Sequence, residues 1–158
     1  KIFSSLTCPY CADFHLKILK NLEKDFLENK TIKIELHAFP LDLAALNAEK
    51  IVRCADNVGV RFKLLDSIYE KQGQWAIGSD INKINESLIA IGKSLNLSED
   101  KLKFCLKDDM LQDEILNERI NAQKKYKIES TPTIIVNEKR YSGKVNYESF
   151  KKIIEKNL

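Results

Sequence analysis

The chain opens Lys1-Ile2-Phe3-Ser4-Ser5-Leu6-Thr7-Cys8-Pro9-Tyr10-Cys11, and the reading of the last five of these residues decides the fold. Ile2 and Phe3 are strand formers. Beyond the cysteines, Phe14, Ile18, Leu22 and Phe26 recur at helical spacing, with Leu19 and Leu27 beside them. The cysteine pair therefore falls where a short strand gives way to a long helix, with Cys8 at about the N-cap, Pro9 first in the helix and Cys11 one turn in. Proline suits that place because its missing N–H would be unpaired there anyway. The unpaired N–H groups and the positive end of the helix dipole stabilise a thiolate at Cys8. The thiolate is the nucleophile in disulfide chemistry. Cys11 is near enough to attack a mixed disulfide formed at Cys8 and release it. Pro9 and Tyr10, between the two sulfurs, are placed to tune them. The spacing predicts a dithiol/disulfide redox site.

The competing reading of two closely spaced cysteines is half of a structural zinc site, which needs four ligands. The other cysteines, Cys54 and Cys105, are far apart in sequence, and neither has a histidine at ligand spacing. His15 and His37 are also widely separated. No metal and no cofactor are expected.

The rest of the composition narrows the class. With 158 residues and 44% hydrophobic content, the chain can bury a real core. The 26 basic residues nearly balance the 23 acidic ones, and all but four of the basic ones are lysines spread along the chain. A nucleic-acid footprint would cluster them on one face, so no nucleic-acid partner is expected. No apolar run is long enough to span a membrane. The chain opens on Lys1, a few residues before the cysteine pair, and is read as a processed or trimmed chain whose natural start lies upstream.

Taken in order, residues 1–6 are a strand and residues 8 to about 28 the long helix, ended by Asn29-Lys30. Residues 32–39 alternate, with Ile32, Ile34, Leu36 and Ala38 on one face and Lys33, Glu35 and His37 on the other. That pattern predicts a strand covered on one side or lying near an edge. His37 is expected to be a polar residue on the wetter face. His15 lies two turns beyond Cys8, about 10 Å along the helix, and is read as structural. After Phe39-Pro40-Leu41 the pattern is helical for over eighty residues. Five helices are expected: one from Asp42 to about Asn57 and ended by Gly59, one over about 60–71, one capped by Ser79 or Asp80, one starting at Ser98, and one over about 110–126. Trp75 is expected in a loop between Gly73 and Gly78. Strand signal returns at Thr133-Ile134-Ile135-Val136 and again at Arg140-Tyr141-Ser142. The turn Asn137-Glu138-Lys139 between them lacks an Asn-Gly pair, and so predicts a longer loop than the tightest hairpins have. Asn146 caps a terminal helix. The order is β-α-β, five helices, then β-β-α.

Ser130-Thr131-Pro132-Thr133 opens the returning strand. Combined with a CxxC helix, it resembles the cis-proline loop of the thioredoxin superfamily. More specifically the chain is similar to the DsbA-like thiol–disulfide oxidoreductases. The residues that carry the likeness are Thr7-Cys8-Pro9-Tyr10-Cys11, Phe14, Phe39-Pro40-Leu41, Thr131-Pro132-Thr133 and Ser142-Gly143. The resemblance implies an α/β thioredoxin fold with an inserted all-helical domain: a discontinuous thioredoxin-like domain of residues 1–41 and 128–158, and an insertion of residues 42–127. It implies that Cys8 is the exposed attacking sulfur and Cys11 the shielded resolving one. Thr131 and Pro132 would offer their backbone to a substrate added as a strand. Relatives often pair cysteines within the insertion, so a structural disulfide between Cys54 and Cys105 is implied, in place of two buried free thiols. The strand that in relatives precedes the active-site strand is missing here, which would leave strand 32–39 as an exposed edge or paired with residues upstream of Lys1.

The family works in the periplasm or an equivalent oxidising compartment, on secreted proteins that contain cysteines, and exchanges electrons with a membrane redox partner. Threonine before the cis-proline is commoner in its isomerase-like members, so Thr131 leans towards disulfide isomerase, in the oligomeric ScsC-like branch, with homo-oligomerisation through upstream residues. The alternatives are a DsbA-type dithiol oxidase, a peptide-binding chaperone whose CxxC is incidental, and a Cu(I)-binding protein that holds the metal with Cys8 and Cys11.

Overall fold

The computed structural model describes residues 1–28 and 31–158. The expected helix stop at Asn29-Lys30 lies outside the described residues. Strand β1 (Ile2–Ser4) leads into helix α1 over 9–27, which alternates between α and π geometry: α at Pro9–Asp13 and Lys20–Leu22, π at Phe14–Leu19 and Glu23–Leu27. Strand β2 (Leu36–Ala38) follows, then helices α2 (Leu43–Arg53), α3 (Val58–Glu70), α4 (Gln72–Trp75), α5 (Ile81–Ser94), α6 (Glu99–Lys107) and α7 (Asp109–Tyr126). The chain closes with β3 (Thr133–Val136), β4 (Lys139–Arg140) and helix α8 (Tyr147–Asn157).

The four strands form one sheet in the order β2-β1-β3-β4. β1 runs parallel to β2, with Phe3 opposite His37, and antiparallel to β3, with Ile2 opposite Ile134. Alternation along each strand divides the core into two layers. Ile2 and Ile134 join Phe14, Leu19, Leu22, Phe26 and Phe150, so α1 and α8 cover one face of the sheet. Phe3 and Ile135 point the other way, to Phe39, Ala122 and Ile128, under the end of α7. A third cluster lies in the helices and includes Ile51, Leu64, Ile68, Trp75, Leu88 and Leu102. It reaches across to Leu6, Cys8, Cys11 and Ala12 at the start of α1. The architecture is a thioredoxin fold with a helical insertion.

The caps follow side-chain chemistry. Asp42, Asn57, Asp80, Ser98, Asp108 and Asn146 each accept a hydrogen bond from a backbone N–H in the first turn of the helix they precede. These caps explain where the sequence reading needs correcting. The first insertion helix stops at Arg53 and not near Asn57, because Asn57 caps the next helix by accepting from the Val60 N–H, which puts Gly59 in the first turn of α3. Trp75 is not in a loop but ends the short helix α4. It is buried, with its indole N–H donating to the Ile68 carbonyl at 2.8 Å, and α4 brings the insertion to six helices among the described residues.

The β3–β4 turn is tighter than expected. Asn137 and Glu138 both take positive φ, 47° and 65°, so two residues close the hairpin, and β4 is Lys139–Arg140. Asparagine tolerates that region. At Glu138, Lys1, Lys125 and the Tyr126 hydroxyl converge on the carboxylate and hold it at about 2, below the usual carboxylate range. β2 is shorter than the alternation of 32–39 predicts, and it is an edge strand.

Candidate active site

Cys8 has extended backbone angles (φ −80°, ψ 119°) and stands as the N-cap of α1, with Pro9 first in the helix. Its N–H donates to the Ser5 carbonyl at 3.1 Å, and its own carbonyl accepts from Cys11 N–H at 3.1 Å and Ala12 N–H at 3.2 Å. Proline at that position lacks the N–H that would otherwise need a partner, so the helix starts there.

The chain returns to this point 123 residues later. The Thr131–Pro132 peptide is cis, and the Cys8 thiol donates to the Thr131 carbonyl, Sγ to O 3.5 Å. Thr133 steadies the loop by donating its hydroxyl to the Ser130 carbonyl at 2.6 Å. Cys8 and Cys11 are both free thiols. The expectation that Cys8 is exposed needs correction: it is 8% exposed and Cys11 is 1%, because both side chains pack into the core shared with the insertion. Cys8 is still the less buried of the two. Tyr10 is 75% exposed, so its ring projects into solvent.

Burial pushes the Cys11 thiol up to about 12, while the Thr131 side chain and the Ser5 backbone pull it back. The Thr131 hydroxyl oxygen is buried beside that thiol. One cysteine thus lies at a helix N-terminus near the surface, and the other is held protonated beneath it. Such a pair can form and resolve a mixed disulfide without metal or cofactor.

Cys54, just after α2, and Cys105, on α6, are joined by a disulfide with Cα atoms 5.8 Å apart. His15 is buried on α1, its Nε2 2.7 Å from Asp66 and its ring against Tyr69. His37 stacks on Phe3 with ring centroids 4.8 Å apart, while its Nε2 meets Glu35 at 3.2 Å. Among the described residues, no group of three or more histidine, cysteine or acidic side chains could hold a metal ion. No helix there is long and apolar enough to cross a membrane.

Two residues of the insertion reach the loop before Cys8, and sequence reasoning missed both contacts. Gln72, first in α4, donates its side-chain amide to the carbonyls of Leu6 at 2.8 Å and Cys8 at 3.1 Å. Asp42 accepts from the Thr7 hydroxyl at 2.7 Å while it caps α2. The Asp42 cap was legible in the sequence. Nothing near Gln72 in the sequence marks its partners, which lie over sixty residues away.

Residues 1–156 match the thioredoxin family. The chain belongs to that family. A Rickettsia bellii protein provisionally named a protein-disulfide oxidoreductase is 27% identical over 135 residues, which is 85% of this chain and 51% of that protein. The chain spans about half the length of the first such relatives. Disulfide bond formation protein D of Bacillus subtilis is 27% identical over 165 residues, 99% of this chain and 70% of the relative. Among solved structures, Wolbachia pipientis alpha-DsbA1 superposes with a TM-score of 0.86 at 23% identity, over 98% of this chain and 82% of that one. This thioredoxin-family chain shares the fold of the DsbA-like proteins.

Proposed function

We propose that this chain is a protein thiol–disulfide oxidoreductase that works through Cys8 and Cys11 in the periplasm on secreted, cysteine-containing proteins. One observation carries the proposal: Cys8 caps α1 with its sulfur against the cis Thr131–Pro132 loop, and Cys11 is shielded beneath it. The names of the relatives in Rickettsia and Bacillus support it.

The direction we favour is isomerisation, which Thr131 before the cis-proline supports. The Cys8 thiolate attacks a wrong disulfide in the substrate. A Cys8–substrate disulfide forms and a substrate thiolate leaves. Another substrate thiolate then attacks the substrate sulfur of the mixed disulfide and expels Cys8 as thiolate, so no net oxidation occurs. If the substrate stalls, Cys11 gives up its proton and attacks Cys8. The pair is oxidised by two electrons and the substrate reduced by two. The substrate chain would lie beside Thr131 and Pro132, bound mainly through its backbone. A membrane redox partner would return the pair to the dithiol, and upstream residues would supply oligomerisation.

The name of the Bacillus relative supports a second reading, disulfide formation. There a substrate thiolate attacks Cys8 of a Cys8–Cys11 disulfide and Cys11 leaves as thiolate. A second substrate thiolate then displaces Cys8, so the substrate is oxidised and the pair reduced.

The test pairs recovery of scrambled ribonuclease with oxidation of reduced ribonuclease, for this chain and for the full-length protein. Recovery is expected for the full-length protein. Oxidation without recovery in both would establish the oxidase, and activity in neither would overturn the redox reading.

A further inference from the structure

We infer that Gln72 is a positioning residue through which the helical insertion holds the reactive Cys8, an inference that rests on the redox reading above. Three donors converge on the Cys8 carbonyl: the N–H groups of Cys11 and Ala12 from within α1, and the Gln72 amide from outside it. The same amide nitrogen donates to Leu6, so one side chain grips both ends of the Leu6-Thr7-Cys8 bend.

The grip is only as firm as the helix that carries it, and α4 is firmly held. Trp75, three residues on, is 2% exposed, and its indole N–H is spent on the Ile68 carbonyl within the insertion. On the other side of the bend, the Thr7 hydroxyl is tied to Asp42, whose second carboxylate oxygen caps α2. The insertion therefore fixes the segment before the thiol from two directions, in addition to the contacts that Ser5, just after β1, makes with Cys8 and Thr7.

The chemistry favours a donor at this place. The Leu6 and Cys8 carbonyl oxygens carry partial negative charge at the foot of α1, where a thiolate must be tolerated. N–H groups on those oxygens offset that charge. An amide there holds the backbone that carries the sulfur and offsets the negative charge beside it. A carboxylate there would do the reverse on both counts.

The experiment compares the wild-type chain with Gln72→Ala, Gln72→Glu and Gln72→Lys. It measures the rate at which Cys8 is alkylated by iodoacetamide and exchanges with oxidised glutathione across pH, with the site read by mass spectrometry and thermal unfolding measured alongside. For the loss of two modest hydrogen bonds, Gln72→Ala is expected to slow both reactions about threefold at pH 7. Gln72→Glu should slow them further, and Gln72→Lys, which restores donors, should return them to the wild-type rate or above it. Rates equal across all four proteins would overturn the inference, as would rates that simply follow unfolding temperature. A wild-type chain in which Cys8 fails to exchange with glutathione at all would sink the redox reading itself, a result distinct from either of those.

Discussion

The Cys8 thiol donates to the carbonyl of Thr131, and the Thr131 hydroxyl is buried beside the thiol of Cys11, so a single residue of the cis-proline loop touches the environment of both sulfurs. The two cysteines are thereby made unlike, although only a dipeptide separates them.

The first consequence is a difference in reactivity. A thiol is reactive only when ionised. Burial raises the Cys11 thiol to about 12, so it stays protonated throughout the neutral range. With Cys8 replaced by serine, Cys11 should resist iodoacetamide at pH 7–8, with reactivity rising only as the pH approaches the alkaline limit of folding. With Cys11 replaced by serine, Cys8 should still be alkylated. Rapid labelling of Cys11 at pH 7 would contradict the shielded geometry.

Thr131→Val tests the hydroxyl. The substitution keeps the side chain's shape and removes the buried oxygen that adjoins the Cys11 thiol, a contact worth about 0.5–1.5 kcal/mol. Urea unfolding should therefore show a change of no more than ~1.5 kcal/mol. The Cys11 thiolate loses a favourable neighbour, so release of a mixed disulfide at Cys8 should slow in single-turnover kinetics. A larger loss of stability would show that the hydroxyl does more than adjoin the Cys11 thiol.

The Cys54–Cys105 disulfide closes a loop between residues 51 apart and staples α2 to α6. Chain entropy sets its contribution at up to ~4 kcal/mol. Replacing both cysteines by alanine should lower the urea-unfolding free energy by about 2–4 kcal/mol while Cys8 still exchanges with glutathione. Loss of that exchange in a folded double variant would mean that the staple also shapes the site.

Lys127 follows α7 with φ at 51°, a left-handed conformation that an L side chain adopts at a cost. Its backbone N–H is bonded to the Gln123 carbonyl, so the conformation is held in place. Glycine is the residue that this helix end prefers. Lys127→Gly is expected to raise stability by ~1 kcal/mol in urea unfolding, with no change in Cys8 reactivity.

Much of this architecture could be read from local sequence. The apolar stripe Phe14, Leu19, Leu22 and Phe26 set the buried face of α1, and Cys8-Pro9 marked its start. Asp42, Asp80, Ser98 and Asn146 marked helix starts because a cap joins a side chain to a backbone N–H only a few residues away. Local reasoning failed where two local signals competed. Gly59 read as a stop, yet the Asn57 cap two residues earlier turned it into part of the next helix. Trp75 between two glycines read as loop, yet burying its indole ring made that segment a helical turn.

The sequence by itself determined the helix periods, their caps, the strand alternation and the placing of two cysteines at a helix N-terminus, because each depends on residues within a turn or two of one another. The tertiary structure decided which groups those cysteines meet. The Thr131 carbonyl reaches Cys8 across 123 positions and the Gln72 amide across 64, and Glu138 of the β3–β4 turn meets Lys1 across 137. No local propensity encodes such contacts. They exist only once the sheet, α1 and the insertion have buried their apolar faces against one another and carried distant polar groups into reach.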